Sequence, residues 1–157
     1  MKNNVTRLLD HSKIEYTVFE LPPEKLGAEA TAGKLGVPLE KVFKTIVVKR
    51  AGGGKPILAL VPGNREVDLK KLAKTLGEKK VFLTTQKEAE MLTQLQAGGI
   101  SPLALINRGF QVVIDQSALK YGEIHVSAGL RGMNISLPVD SLAKLTNAKL
   151  VKISRCR

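Results

Sequence analysis

The sequence is poor in the residues that build disulfide frameworks, metal centres and aromatic binding platforms. Its 157 residues include one cysteine, Cys156, and two histidines, His11 and His125. One thiol excludes an internal disulfide and a cysteine-rich metal site, and two imidazoles do not favour a histidine-built one. Tryptophan is absent and aromatics make up 4% of the chain. That content is low for proteins that stack single-stranded bases on aromatic side chains.

Acidic residues are also scarce relative to basic ones. The chain has 14 Asp and Glu against 25 Lys and Arg, a formal net charge of +11. This excess favours a polyanionic partner, with nucleic acid as the first candidate, recognised by backbone charge and shape or at a nucleotide end. A protein that simply carries many lysines, without such a partner, would show the same charge.

Long apolar segments are missing as well. No stretch approaches the length of a membrane span, and residues 1–4 lead into an amphipathic pattern without the apolar core of a signal peptide. We therefore expect a cytoplasmic protein without membrane contact. Hydrophobic residues make up 43% of the chain, and its length predicts one domain over residues 1–157 with its own core.

Residues 42–49 predict a strand around which the chain is organised. They are rich in β-branched residues, without Gly or Pro, and apolar on both faces, which indicates a central strand. Strand alternation places Lys44 in an otherwise apolar row. A buried ammonium needs a carboxylate, a phosphate or a polar pocket. Alternatively, Lys44 lies at a frayed strand end and extends to water.

Helices and strands are mixed along the chain without regular βαβ alternation, so an α+β fold is predicted. Helices are expected at residues 4–12 (capped by Asn3 or Asn4), 28–35, 69–76, 85–91 (capped by Thr84 or Thr85) and 139–146, with a helical turn at 39–42. Further strands are expected at residues 14–20, 57–61, 80–83, 111–114, 123–127, 134–137 and 149–153.

A catalytic triad is not indicated. Glu123, His125 and Ser127 alternate on one strand face, but neighbours in such a row are about 6.5–7 Å apart. Parallel side chains at that spacing do not converge into a hydrogen-bonded relay, so a polar strand face is the preferred interpretation.

Two glycine-containing loops are candidates for anion binding. Residues 98–102 contain paired glycines, which permit successive backbone N–H groups to face one anion or a developing oxyanion. Residues 127–132 form a second such connection. A tight turn closed by Pro102 and an ordinary hairpin would account for the same residues.

Four segments together resemble the YbaK family. They are Val-Phe-Lys-Thr at 42–45, Asp-Leu-Lys-Lys-Leu-Ala-Lys at 68–74, Gly-Gly-Ile-Ser-Pro-Leu at 98–103 and Ser-Ala-Gly-Leu-Arg-Gly at 127–132. Members of that family are free-standing aminoacyl-tRNA deacylases related to the editing domain of bacterial prolyl-tRNA synthetase. The resemblance extends from the first predicted helix to Ile153. It implies a single α+β domain with a mixed, strongly curved central β-sheet surrounded by helices.

The resemblance also implies an activity, which is hydrolysis in trans of the ester between a mischarged amino acid and the 3′ end of tRNA. Cysteine on tRNA(Pro) is the best-matched substrate. No metal, cofactor or protein nucleophile is implied, because the substrate's own thiol or a ribose hydroxyl attacks or activates. The implied partners are the aminoacylated tRNA end and, as a candidate, prolyl-tRNA synthetase.

Site residues follow from the same resemblance. The essential lysine falls on Lys44, and the N–H groups of Gly99 and Ile100 would serve the oxyanion. The substrate-binding positions are Phe19, Leu26, Thr45, Gly98, Ser101, Pro102, Ser127, Gly129, Arg131 and Asn134.

Several positions depart from the family pattern. Asn134 replaces a common aspartate, Ala128 and Leu130 alter the second loop, and an aromatic near the substrate falls on Phe19 or Leu26. These changes leave open a deacylase for Ala-tRNA(Pro) or another small residue, or a non-catalytic module that binds tRNA ends or a synthetase–tRNA complex. If Ile124 and Val126 face the core, Ser127 needs a bulge or a strand end to reach the pocket.

Overall fold

A computed structural model of the protein describes residues 2–157. The helices are α1 Asn4–His11, α2 Ala28–Leu35, α3 Leu69–Leu76, α4 Gln86–Thr93 and α5 Val139–Thr146, with short 3₁₀ helices at Leu39–Lys41 and Gln116–Lys120. The strands are β1 Thr17–Glu20, β2 Phe43–Arg50, β3 Ile57–Pro62, β4 Arg65–Val67, β5 Val81–Leu83, β6 Gln111–Asp115, β7 Glu123–Ser127, β8 Met133–Pro138, β9 Lys149–Val151 and β10 Ser154–Cys156. None of the helices in this part of the chain is long and apolar enough to cross a membrane.

Five strands form the main sheet, in the order β5-β2-β3-β6-β9. The pairs β5-β2 and β2-β3 are antiparallel, whereas β3-β6 and β6-β9 are parallel, so the sheet is mixed. The predicted organising strand is β2. Its neighbour β5 covers only Val48–Arg50, which leaves the start of β2 as an open edge.

The remaining strands form two smaller sheets. An antiparallel sheet has the order β1-β8-β7, and an antiparallel ribbon joins β4 and β10. A single parallel bridge between Val42 and His125 connects the main sheet to β7. The predicted α+β class with a mixed sheet is confirmed, although the strands are divided among three sheets.

Both faces of the main sheet are buried, as the apolar pattern of β2 predicts. Leu58 and Leu60 face the larger core cluster, which also contains Ile124 and Ile135 of the three-stranded sheet. Ile57, Ala59 and Val61 face a smaller cluster beneath α3. β3 is fully buried, and its side chains alternate between the two clusters of the core.

Helix limits follow local capping chemistry. Asn3 forms a capping box for α1, Asp68 caps α3 through the N–H of Lys71, and Thr85 forms a capping box for α4. Gly36 and Gly77 end α2 and α3 in the left-handed conformation. Strand limits differ more from prediction: the strand expected at 14–20 begins at Thr17, and the one at 149–153 ends at Val151.

Candidate active site

A pocket of about 260 Å³ lies at the open edge of β2, where the main sheet meets the ends of β7 and β8. Seven predicted site residues line it: Leu26, Lys44, Thr45, Gly98, Ile100, Ser127 and Asn134. The other lining residues, which the sequence did not indicate, are Gly27, Ala28, Thr31, Val42, Phe43 and Ala97. Three of these belong to α2 and its N-cap, and the helical spacing of Ala28 and Thr31 was the available signal. A larger cleft of about 350 Å³ beside Asp115 and Lys152 contains none of the predicted residues.

Lys44 is the cation of the pocket. It is half-buried near the start of β2, and its ammonium donates to the carbonyl oxygen of Gly63 at 3.4 Å. Within residues 2–157 no carboxylate oxygen lies within 4 Å of it. Burial lowers the pKa of Lys44, the charge of Arg157 lowers it further, and Glu66 and Glu29 act in the opposite direction. Lys44 thus offers a positive charge to a ligand rather than to a protein carboxylate.

The two glycine loops are tied to each other. The Ser127 hydroxyl donates to the carbonyl of Gly98 at 3.4 Å, and Arg131 Nε donates to the carbonyl of Ala97 at 2.6 Å. A Cβ on Gly99 would lie 3.0 Å from the backbone of Leu130 and of Arg131, a contact so tight that the two loops would have to move apart. Arg131 therefore connects the two loops by a hydrogen bond and does not line the pocket.

The N–H groups of the two predicted oxyanion donors, Gly99 and Ile100, have different surroundings. The N–H of Gly99 donates to the carbonyl of Gln96 at 2.8 Å and is committed to this turn. Ile100 lines the pocket, and its N–H has no acceptor among residues 2–157. Ile100 is the donor that remains available.

Three further predicted binding residues lie outside the pocket lining. Ser101 and Pro102 are buried beneath the loop, where the hydroxyl oxygen of Ser101 accepts the N–H of Leu103 at 3.2 Å. Gly129 has φ +97° and forms the turn after β7. Ser101 and Pro102 therefore belong to a buried turn, and Gly129 to a turn in the left-handed conformation, rather than to the pocket lining.

The two candidates for the position near the substrate, Phe19 and Leu26, lie in different places. Leu26 lines the pocket, whereas the Phe19 ring packs against His125 with ring centroids 5.3 Å apart. Phe19 lies opposite Asn134 in the β1-β8 register and is not a pocket-lining residue. An aliphatic side chain therefore takes the position in which an aromatic was expected.

No relay connects Glu123, His125 and Ser127. Glu123 accepts from the Ser136 hydroxyl at 3.2 Å, and His125 Nδ1 donates to Asn134 Oδ1 at 3.0 Å. Burial lowers the pKa of His125 most strongly, although the Asn134 contact acts to raise it. The absence of a triad agrees with the interpretation of this strand as a polar row.

Ser127 reaches the pocket from the end of β7, which is one of the two routes expected from the sequence, and no bulge is needed. It pairs regularly with Asn134 at the end of β7, while Ile124 and Val126 are fully buried in the core. The opposite face of β7 is not open to solvent there, because it borders the pocket and the start of β2. Normal alternation thus points Ser127 inward to the site.

The pocket lining contains no carboxylate, imidazole or thiol. Its polar side chains are those of Thr31, Lys44, Thr45, Ser127 and Asn134. Such a lining can position an ester, polarise its carbonyl and stabilise an oxyanion. It contains no carboxylate or imidazole that could act as a general base, and its hydroxyl groups are those of Thr31, Thr45 and Ser127.

The pocket thus combines one cation, Lys44, with a glycine loop. A family model described as the aminoacyl-tRNA editing domain matches residues 22–145, and the chain belongs to that family, whose activity is aminoacyl-tRNA deacylation. The chain is 37% identical over 155 residues to a protein of Enterococcus faecalis provisionally named Cys-tRNA(Pro)/Cys-tRNA(Cys) deacylase EbsC. The match covers 98% of this chain and 93% of that protein.

Solved structures share the fold. The hypothetical protein APE2540 superposes with a TM-score of 0.87 at 22% identity, over 98% of this chain and all of that one. A provisionally named trans-editing enzyme for prolyl tRNA synthetase superposes with a TM-score of 0.80 at 22% identity, over 99% of each chain. At this identity the structural likeness supports the fold alone.

Proposed function

We propose that this protein hydrolyses the cysteinyl ester of Cys-tRNA(Pro) in trans. The single observation that carries this proposal is the pocket that holds Lys44 without a carboxylate partner and has no carboxylate or imidazole in its lining. The relative in E. faecalis, which is similar over nearly the whole length of both proteins, has the corresponding name. Both observations favour an ester whose own amino acid takes part in the reaction.

Lys44 and Ile100 are proposed to act on the ester carbonyl. The ammonium of Lys44 polarises the carbonyl, and the N–H of Ile100 donates to the oxygen as negative charge develops. Both groups lie in a site partly withdrawn from water, where such interactions are stronger than at the surface. Thr45, Ser127 and Asn134 then position the aminoacyl group.

The nucleophile is proposed to be the thiol of the substrate's cysteine. Its sulfur forms a bond to the carbonyl carbon, the bond from that carbon to the ribose oxygen breaks, and the thiol proton ends on the ribose hydroxyl. Water then opens the thiolactone to release cysteine. Alanine lacks this thiol, so an alanyl ester would need assistance from the neighbouring ribose hydroxyl.

The substrate tRNA is proposed to be attracted by the net charge of +11. Affinity should fall steeply with added salt because phosphate contacts release counterions. Aminoacyl-tRNA is made and used in the cytoplasm, so the reaction would occur there. Prolyl-tRNA synthetase, which produces mischarged tRNA(Pro), is the candidate protein partner.

The test is release of amino acid from Cys-tRNA(Pro), Ala-tRNA(Pro) and Pro-tRNA(Pro), each with EDTA present, by wild type and Lys44→Ala. Lys49→Ala is the matched control, because Lys49 is a half-buried lysine of the same strand that pairs with Glu88. We expect loss of the cysteinyl ester only, abolished in Lys44→Ala and retained in Lys49→Ala.

Other outcomes have defined meanings. Turnover of the alanyl ester would show that the substrate is Ala-tRNA(Pro). If hydrolysis required the 2′-hydroxyl of the terminal ribose, that hydroxyl and not the thiol would be the nucleophile. Hydrolysis by Lys44→Ala at the wild-type rate would contradict the role of Lys44. No hydrolysis, with salt-sensitive tRNA binding retained, would indicate a binding module.

A further inference from the structure

Arg157 does not line the pocket, but its ion-pair partner Glu29 directly follows the pocket-lining residue Ala28 in α2. β10 pairs with β4 so that Arg155 lies opposite Glu66, and the two side chains form an ion pair of 2.7 Å. Since side chains alternate along extended backbone, Arg157 projects from the same face as Arg155. Its guanidinium forms an ion pair of 2.7 Å with Glu29. The family model ends at residue 145, so neither arginine belongs to the matched segment.

A short series of contacts connects Arg157 to Lys44. Lys44 donates to the carbonyl of Gly63, and Gly63 approaches Ala28 so closely that a Cβ would lie 2.7 Å from the Ala28 Cβ. Ala28 lines the pocket, and Glu29 is the next residue of α2. The charges of Arg157 and Glu29 also reach Lys44, because after burial they are among the groups that shift its pKa.

We propose that Arg157 forms a phosphate subsite beside the pocket, where it binds the 5′-phosphate of the terminal nucleotide of the aminoacyl-tRNA. This inference rests on the proposed function. The ester and the 5′-phosphate are carried by the same ribose, so an ester held at Lys44 brings the phosphate close to the pocket. A guanidinium binds phosphate oxygens through paired, charge-assisted hydrogen bonds.

Glu29 holds Arg157 in place until the phosphate arrives. The side chains of Arg157 and Glu29 are 48% and 67% exposed, and exposed ion pairs contribute little to stability. A phosphate can therefore displace the carboxylate at small cost. Because Arg157 binds the phosphate, the ammonium of Lys44 remains free to bind the ester carbonyl.

The experiment measures binding, which is independent of hydrolysis. The probe is 3′-cysteinylamino-3′-deoxyadenosine, an amide that replaces the labile ester, prepared with and without a 5′-phosphate. We expect wild type to bind the phosphorylated probe about 10-fold more tightly, as for one charge-assisted contact. Arg157→Ala should lose this preference and keep the wild-type Kd for the unphosphorylated probe.

Arg155→Ala is the matched control, because it removes the same charge two residues earlier in the chain and also breaks an ion pair. It should retain the phosphate preference. Glu29→Gln should tighten binding of the phosphorylated probe a few-fold, and only when Arg157 is present. Arg157→Lys should restore part of the preference.

Equal affinity of wild type for the two probes would overturn the proposal, as would an equal loss in Arg155→Ala and Arg157→Ala. A wild type that prefers the phosphorylated probe through Arg157 but does not hydrolyse Cys-tRNA(Pro) would contradict the proposed reaction while supporting the phosphate subsite. The two proposals therefore fail separately.

Discussion

His125 Nδ1 lies 3.0 Å from the side-chain oxygen of Asn134, and this hydrogen bond orients the Asn134 amide at the pocket. The oxygen is occupied by the imidazole, so the amide nitrogen is the group that Asn134 can offer to a ligand. His125 is buried on β7 and packs against Phe19. His125 is therefore not a pocket-lining residue, and its contact with the pocket is through Asn134.

The buried His125 predicts a loss of stability in mild acid. Its pKa in the folded protein is lowered by burial, so the unfolded chain takes up the proton more readily. The contribution of His125 to folding stability is fully present above the pKa of histidine in the unfolded chain, about 6.5, and is lost as the pH falls towards the pKa in the folded protein. Urea unfolding at pH 7.5 and 5.5 should show the loss in wild type and in His11→Gln, and a smaller loss in His125→Gln. Equal pH dependence in all three would contradict it.

Asn134→Asp should reverse the sign of this effect. The new carboxylate would lie at the position of the amide oxygen, within hydrogen-bond distance of the imidazole, and should raise the pKa of His125 because it favours the charged imidazolium. An NMR titration can follow His125 with the exposed His11 as internal reference. An unchanged His125 titration would show that the two side chains do not interact in solution.

Gly99→Ala should separate the two glycine loops. A Cβ at residue 99 would meet backbone atoms of Leu130 and Arg131 at 3.0 Å, and backbone cannot move aside as a flexible side chain can. We expect destabilisation of about 1–3 kcal/mol, typical of overpacking, together with loss of hydrolysis. Thermal unfolding should show a shift of several degrees.

Gly52→Ala is the matched control for Gly99→Ala. A Cβ at Gly52 has no neighbour within 4 Å and its φ is not in the left-handed region. The substitution should leave activity unchanged and alter stability by less than about 1 kcal/mol, since only the freedom of the unfolded chain changes. Similar effects at both glycines would mean that the contact between the loops is not what makes Gly99 necessary.

Asp115→Ala should loosen β10 and thereby affect Arg157. One oxygen of this buried carboxylate accepts the N–H groups of Ile153 and Ser154 at 2.9 and 3.0 Å, immediately before and at the start of β10. Hydrogen bonds to a charged group contribute about 1.5–3 kcal/mol each, so the variant should be clearly less stable. At pH values where it stays folded, it should also discriminate less between the phosphorylated and unphosphorylated probes. Full discrimination would show that β10 is held by its pairing with β4 alone.

The carboxyl of Asp115 also predicts behaviour in acid. Burial acts to raise its pKa, but the hydrogen bonds from Ser117, Ile153 and Ser154 outweigh burial and lower it. The contribution of Asp115 to folding stability is therefore present above the pKa of aspartate in the unfolded chain, about 3.9. It is lost as the pH falls through the pKa of Asp115 in the folded protein. Unfolding measurements between pH 5 and 2.5 should show a smaller pH dependence for Asp115→Ala than for wild type.

Much of the site could be predicted from the sequence because its residues are contiguous or belong to recognisable loops. Lys44, Thr45, Gly98, Ile100 and Ser127 all line the pocket. The errors concern groups whose surroundings depend on packing. Gly99 is adjacent to Ile100, yet its N–H is taken by a carbonyl three residues earlier. Phe19 occupies a strand position that places its ring on His125 instead of in the pocket.

The sequence by itself determined the elements that depend on local chemistry. α2 and α3 begin and end where their glycines and the Asp68 cap predict, because those hydrogen bonds join residues a few positions apart. Only the tertiary structure decided that residues 65–67 pair with residues 154–156, and that Arg157 consequently meets Glu29 beside Lys44. Both contacts join segments that lie about ninety or more residues apart in the chain. Strands of three residues are too short to show an alternating pattern in the sequence, so their positions depend on the long-range pairing.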